Sequence, residues 1–398
     1  MTRYTVRHNV GGRSALVDTA PATDLSDGWS PEVWLGAPAP GGLALPPAHP
    51  SMSWMYSPRG VFLGSDHLVV ADSGNHRVLV WHGYPGHDEQ PANIVLGQPD
   101  GHTEGKAAGG RGPERGMNLP TGVLVHQGRL IVADAWHHRI LIWNSVPERS
   151  DVAPDLILGQ PDASSVAPNQ GKTCSASTMY WPFGIAVIGS RFWVADTGNR
   201  RVLGWKGGIP EPGQPADIVV GQPDAAHRSE NRGGAVGPAS FRWPHDLAGR
   251  DDLLLVADAG DHRILGWSPL PSTDRPADIL VGQPDFSASE EWPYGPHTGD
   301  RFRFPYAIGL DRVGGEGTER LAVADTANNR ILLWDNLPAD GRAADHVLAQ
   351  PGFGSNGENR WTSVQRDTLC WPYGISLRAD RLAVADSGNN RVVIWRRA

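Results

Sequence analysis

Short apolar runs recur along nearly the whole chain, as in "RVLVW" from residue 77, "GVLV" from 122, "GIAV" from 184 and "NIVLG" from 93. They are rich in Val, Ile and Leu, four to six residues long, and closed off by Gly, Pro, Asn and Asp. Runs of this length with these boundaries predict strands, because a helix would need a longer stretch of 3.6-residue periodicity. The runs come in groups of four. The first follows a proline phrase such as "WPFGIAV" at 181, and the second ends in Val-Ala-Asp. A turn such as "SGNHR" leads to the third, and the fourth belongs to phrases such as "NIVLGQPD" at 93.

The Val-Ala-Asp aspartates are Asp72, Asp134, Asp196, Asp258, Asp325 and Asp386, spaced 62, 62, 62, 67 and 61 residues apart. Each is followed by an Arg five residues later and a Trp nine later. Tandem four-stranded units predict blades around a central channel. The sixth unit stops at Trp395 without a fourth strand, whereas "PEVWLGAPA" at 31 is a fourth strand with no unit before it. The N-terminal segment is therefore expected to complete the last blade and pair two otherwise open edges. The fold class is all-β: a six-bladed β-propeller spanning residues 30–398 as one domain, preceded by an arm over 1–29.

Composition agrees with this picture and narrows the partners. The chain has 49 Gly and 34 Pro, as many tight turns require, and 16 Trp. Its net charge is −8 and no basic run occurs, which disfavours nucleic acid as a partner. No apolar stretch approaches the roughly 18 residues of a membrane span and the first residues contain no apolar leader, so a cytoplasmic protein without a membrane partner is expected. Two cysteines form no disulfide framework.

The pattern P-x-G-I-A … V-A-D-x-G-N-x-R-I resembles that of NHL-repeat proteins and occurs six times over residues 30–398. The resemblance implies a six-bladed propeller, in a family that includes protein- and RNA-binding modules. Related six-bladed propellers include metal-dependent lyases and hydrolases that work at the channel mouth. Two units depart from the pattern. Blade two has Ala135-Trp136-His137 where Gly-Asn is expected, and blade five has Ala327. If that position requires positive φ, both turns must differ locally. The repeated Asp, Asn, Arg and Trp, with His76, His138 and His262, read as architecture: capped turns, ion pairs and packing between blades.

Function is sought where the repeat varies. From the Gln of each Gly-Gln-Pro-Asp phrase, or its Ala-Gln-Pro-Gly relative, to the proline opening the next blade is always 22 residues, with variable content on a constant path. These connections are expected to form a collar around one channel mouth. Three places before the proline stand Met55, Met117, Met179, Phe241, Phe302 and Leu369, and one place before stand Ser57, Leu119, Trp181, Trp243, Phe304 and Trp371. Alternation assigns both sets to the core and aims the residue between them elsewhere. Cys370 occupies that intermediate position, and Cys174 lies eight residues before Pro182. The two thiols fall on opposite blades, as buried small residues or as soft ligands, for copper if they bind metal.

The fourth proline phrase, "WPHDLAGR" from 243, carries His245 and Asp246 where other blades keep a small residue at the second position. That pair could ligate a metal or act as general base and orienting partner, or be a capped strand start with a solvated histidine. Tyr306 and Tyr373 share the position of His245 and are expected to orient a substrate. The expected function is a small-molecule enzyme, metal-dependent, using His245, Asp246, Tyr306 and Tyr373, with Cys174, Cys370, His245 and Asp246 as candidate metal ligands. The alternative is a protein- or peptide-binding scaffold using the same face. No nucleotide cofactor is expected, since glycine-rich phosphate motifs are absent.

Overall fold

The computed structural model describes residues 26, 28–37, 49–291, 297–313, 318–338 and 341–398. Each predicted group of four runs forms one antiparallel four-stranded sheet, and there are six such sheets. In the fourth blade, Pro244–Arg250 pairs with Leu253–Asp258, which pairs with Arg263–Trp267 and then with the short outer strand Ile279–Val281. The last sheet runs from Pro372–Arg378 outward to the N-terminal strand Trp29–Gly36, which pairs with Arg391–Arg397. The ring is therefore closed by the N-terminal strand, as expected. All of the expected arm except Ser26, Gly28 and Trp29 lies outside the described residues.

The core is divided among the seams between neighbouring blades. One apolar cluster joins Val69, Val78 and Val80 of blade one to Leu130 and Val132 of blade two, and five others follow around the ring. The repeated tryptophans Trp81, Trp143, Trp205, Trp267, Trp334 and Trp395 each fill one seam. A buried tryptophan contributes a large apolar surface at every seam.

The repeated charges hold the collar to the blades. Each aspartate is fully buried and accepts the guanidinium Nε–H of the Arg five residues on, at 2.7–3.1 Å. The arginine's other nitrogens reach collar carbonyls: Arg201 donates to Ala225, Ser175 and Thr178. The Gln of the Gly-Gln-Pro-Asp phrase donates to the carbonyl seven residues later, as from Gln98 to Gly105 and from Gln222 to Ser229. Each of the five collar segments that begin at such a Gln is thus tied at both ends to repeat side chains of fixed reach, which accounts for their constant length.

The turns of blades two and five do not differ from the others. All six are single 3-10 turns, and the left-handed residue is the one just before the Arg: His76, His138, Arg200, His262, Asn329 and Asn390, with φ 53–58°. The glycine position has no positive φ. Gly198 and Gly388 are instead pressed against Tyr180 and Cys370, where a Cβ would lie within 2.5 Å of those residues. The requirement is for space, not for backbone freedom.

Candidate functional site

Of the two collar sets assigned to the core, one is there and one is not. Met55, Met117, Met179, Phe241, Phe302 and Leu369 are buried at the seams. Ser57, Leu119, Trp181, Trp243 and Phe304 are half-buried and Trp371 is exposed. Trp181 and Trp243 face the channel mouth. The reason lies in the backbone: five of these six residues are left-handed, with φ 47–53°, which breaks the strand alternation used to place them.

That conformation is held between blades. The N–H of Leu119 donates to Nδ1 of His76, Trp181 to His138, and Phe304 to His262, at 3.1–3.2 Å. Asn329 and Asn390 accept equivalent bonds from Trp371 and Ser57 through Oδ1. The histidines are therefore more than turn residues: they latch each blade to the next. Burial lowers all three below the ordinary histidine range, His138 to about 4, which keeps Nδ1 neutral and able to accept. Blade three has Arg200 at this place, and a guanidinium cannot accept. Trp243 accordingly donates to Asp258 of its own blade and is not left-handed. The irregular blade-four phrase thus begins directly after a missing latch.

The residues following the prolines form the mouth itself. His245 is only 8% exposed and lies between two rings, with centroids 4.3 Å from Phe183 and 4.3 Å from Tyr306. Tyr306 meets Tyr373 at 4.5 Å, and the Arg59 guanidinium lies 4.9 Å from the Tyr373 ring. Arg59 also covers Trp136 at 5.6 Å, and Trp136 meets Phe183 at 5.8 Å. These six planar groups close on themselves as an iris. Blade two supplies only Thr121 at the ring position, and Trp136 from its turn takes the place. The departure at Trp136 is thereby explained.

The iris has space on both sides. Outward is a cup of about 180 Å³, walled by Trp136, Trp181, Trp243 and Arg200 over the rings of Phe183, His245, Tyr306 and Tyr373. Inward is a channel cavity of about 250 Å³, lined by the innermost strands of all six blades. Those same four rings border both spaces.

His245 and Asp246 are brought to this site, but not as a couple. The His245 Nδ1 is 3.2 Å from the Tyr306 carbonyl, an acceptor, so the proton sits on Nδ1 and Nε2 is left without a protein hydrogen bond among the described residues. Burial lowers its pKa to about 3, so the ring is neutral. Asp246 turns to blade five, where its Oδ2 accepts the N–H of Ile308 at 3.0 Å. Burial raises its pKa to about 6. Among the described residues no hydrogen bond joins the two side chains, so the expected base-and-orienter arrangement is not formed.

The expected copper ligands are not assembled either. Cys174 is buried and its Sγ donates to the Ala226 carbonyl at 3.0 Å, while Cys370 packs on Gly388 of its own blade. Neither lines the cup or the channel. Among the described residues no group of three or more His, Cys, Asp or Glu is placed to hold a metal ion. The donor set does not fit one. Burial also pushes both thiols up, Cys370 to about 12. Cys370 is therefore expected to react with a thiol-directed disulfide reagent at pH 8 at least ~100-fold more slowly in the folded chain than in urea. Equal labelling rates in the two states would refute this.

Sequence reasoning missed Arg59, Trp136 and Phe183. Trp136 was visible as a departure from the repeat, and Arg59 as the one cation among the residues after the prolines. No helix among the described residues is long and apolar enough to cross a membrane.

The fold and site define a six-bladed β-propeller with an aromatic closure at the collar-side mouth. The family model for the NHL repeat matches residues 55–81, and closely similar phrases recur in the other five blades. It is 31% identical over 173 residues to human NHL repeat-containing protein 2, covering 40% of this chain and 21% of that protein. To the cattle protein of the same name it is 30% identical over 155 residues, covering 36% and 18%. The chain spans about a fifth of the length of these curated relatives. A crystal structure of an auxiliary nutrient binding protein from Bacteroides thetaiotaomicron shares the fold, with a TM-score of 0.52 and 12% identity over 91% of this chain and 74% of that one.

Proposed function

We propose that this propeller binds a small molecule at its collar-side mouth, with the aromatic cup and the channel beneath the iris as the two compartments of one site. One observation carries the reading: six planar side chains, one from each blade, close into a ring with open space on either side. Blade seams require no such ring, since the tryptophans and aliphatics of the seams already close the fold. A concave, mostly apolar site with a few placed polar groups is the usual form of a ligand pocket. At about 180 Å³ the cup suits one ring rather than a nucleotide.

The test is a thermal-shift and tryptophan-fluorescence screen with fragments of neutral, anionic, cationic and zwitterionic type. At least one class is expected to stabilise the wild type. Its affinity should fall about tenfold or more in Trp136→Ala, which opens the iris, and recover in Trp136→Phe. A screen with no hit, or a hit indifferent to Trp136, would refute the reading.

Catalysis is the second reading, and the position of Asp246 favours it. A channel carboxylate raised to about 6 is poised to exchange a proton near neutrality. An Asp246→Asn variant that keeps affinity for a bound fragment but cannot turn it over would identify an enzyme. A third use, peptide binding on the same face, is supported by the exposed collar aromatics Tyr56, Trp361 and Trp371.

A further inference from the structure

The channel beneath the iris contains two charges with no ionic partner. Of the residues lining it, only Arg59 and Asp246 bear a side chain charged in the ordinary range of pH. The Arg59 side chain makes no hydrogen bond or ion pair among the described residues, and its Nε is buried without a partner. Its guanidinium is held only by the faces of Trp136 and Tyr373. Asp246 forms no ion pair among the described residues and accepts only backbone N–H groups. The six repeat aspartates, by contrast, each have their arginine. A charge left in a confined site without a partner loses hydration that nothing replaces.

Both residues are also departures from the repeat. Arg59 stands where the other blades have Thr121, Phe183, His245, Tyr306 and Tyr373, and Asp246 where they have Gly60, Gly122, Gly184, Ala307 and Gly374. Their placement is not arbitrary. Neighbouring innermost strands meet in the order one to six and back to one, so blades one and four are opposite each other. The cation and the carboxylate thus face one cavity from opposite sides and do not neutralise each other.

Resting on the small-molecule reading above, we propose that the channel cavity binds a small zwitterion of the amino-acid class, its carboxylate taken by Arg59 and its ammonium by Asp246. An anion alone would satisfy Arg59 and confront Asp246, and an amine alone would do the reverse. One molecule carrying both charges satisfies both walls within about 250 Å³. A guanidinium free of other hydrogen bonds offers its fork to a carboxylate.

The experiment is calorimetric titration of the full chain with the twenty common L-α-amino acids, and with the unbranched series from glycine through γ-aminobutyrate to 6-aminohexanoate. Each ligand found is repeated as its N-acetyl derivative, which lacks the ammonium, and as its amide, which lacks the carboxylate. Binding of at least one zwitterion is expected, weakened about tenfold or more by either derivatisation. Arg59→Met is expected to abolish the preference for the acid over the amide, and Asp246→Asn the preference for the free amine over the N-acetyl form. Asp246→Asn keeps an oxygen for the Ile308 N–H, so its fold is retained. N-acetyl and amide forms that bind as well as the parent would overturn the proposal. So would a series without any binder: with fragments still binding the cup, only the zwitterion assignment falls, and with no fragment binding the small-molecule reading falls too.

Discussion

Arg201→Ala is expected to lower the stability of the propeller by about 3–5 kcal/mol, the range for removing one partner of a buried ion pair. The loss has three parts in this structure. Asp196 is left fully buried without its 2.7 Å guanidinium partner. The carbonyls of Ser175, Thr178 and Ala225 lose their donor, and two collar segments lose the tie that sets their path. Urea unfolding measures the first two effects. Hydrogen exchange measures the third, as faster exchange around residues 175–178 than in the inner strands of the same blade. Lysine is not expected to rescue, because one ammonium cannot replace a fork that reaches four acceptors at fixed geometry. A stability loss below about 1 kcal/mol, or rescue by Lys, would contradict this account of the repeated arginine.

Asp261→Asn is expected to stabilise the chain by about 1–3 kcal/mol at pH 8, the usual value of relieving an unsatisfied buried polar group. In blades one, three, five and six an asparagine three residues after the repeat aspartate donates Nδ2–H to it at 2.7–2.9 Å. In blade two His137 occupies this place at 2.9 Å. Blade four alone has a second carboxylate there. Asp261 leaves Oδ2 buried without a hydrogen bond, with the nearest Arg263 nitrogen at 3.7 Å. Burial, together with the charge of Asp261 and against the pull of Arg263, pushes Asp258 up toward neutrality. The folded state therefore keeps a proton that the unfolded chain has already released. Stability falls as pH rises from the ordinary carboxylate range to about 7. The variant removes the part of this slope that the charge of Asp261 adds to burial, so its advantage is largest above pH 7 and shrinks toward pH 5. Unfolding free energies at pH 5 and pH 8 decide the matter. A gain equal at both values, or no gain at pH 8, would show that Asp258 is not strained by its neighbour.

Much of the architecture was legible because propeller blades are built from local rules. Four short runs, fixed turns and a tryptophan at constant spacing specify one sheet, and repetition multiplies the signal. Even ring closure could be read, since an unpaired third strand at one end and a lone fourth strand at the other leave one sensible pairing. The functional role given to the repeated histidines was too small. Their Nδ1 atoms act on the next blade, 42–43 residues later, a distance at which sequence spacing says nothing about contact. The collar tryptophans failed for a related reason. A single left-handed residue before five of the six prolines turns a side chain that strict alternation would send inward.

The candidate site divides along the same line. His245, Asp246, Tyr306 and Tyr373 were found because a repeat makes any departure conspicuous, and they do converge. Cys174 and Cys370 were conspicuous by the same measure and do not converge, because rarity marks a residue without saying where it points. Blade number, strand order, closure and the anomaly of the fourth proline phrase were determined by the sequence itself, through periodicity and hydrophobic pattern. Only the tertiary structure decided that Trp136 substitutes for Thr121 in the iris, that Arg59 and Asp246 face one cavity from opposite blades, and that neither thiol lines the cup or the channel. These are relations between side chains from different blades, fixed by how the ring closes and not by any local preference of the chain.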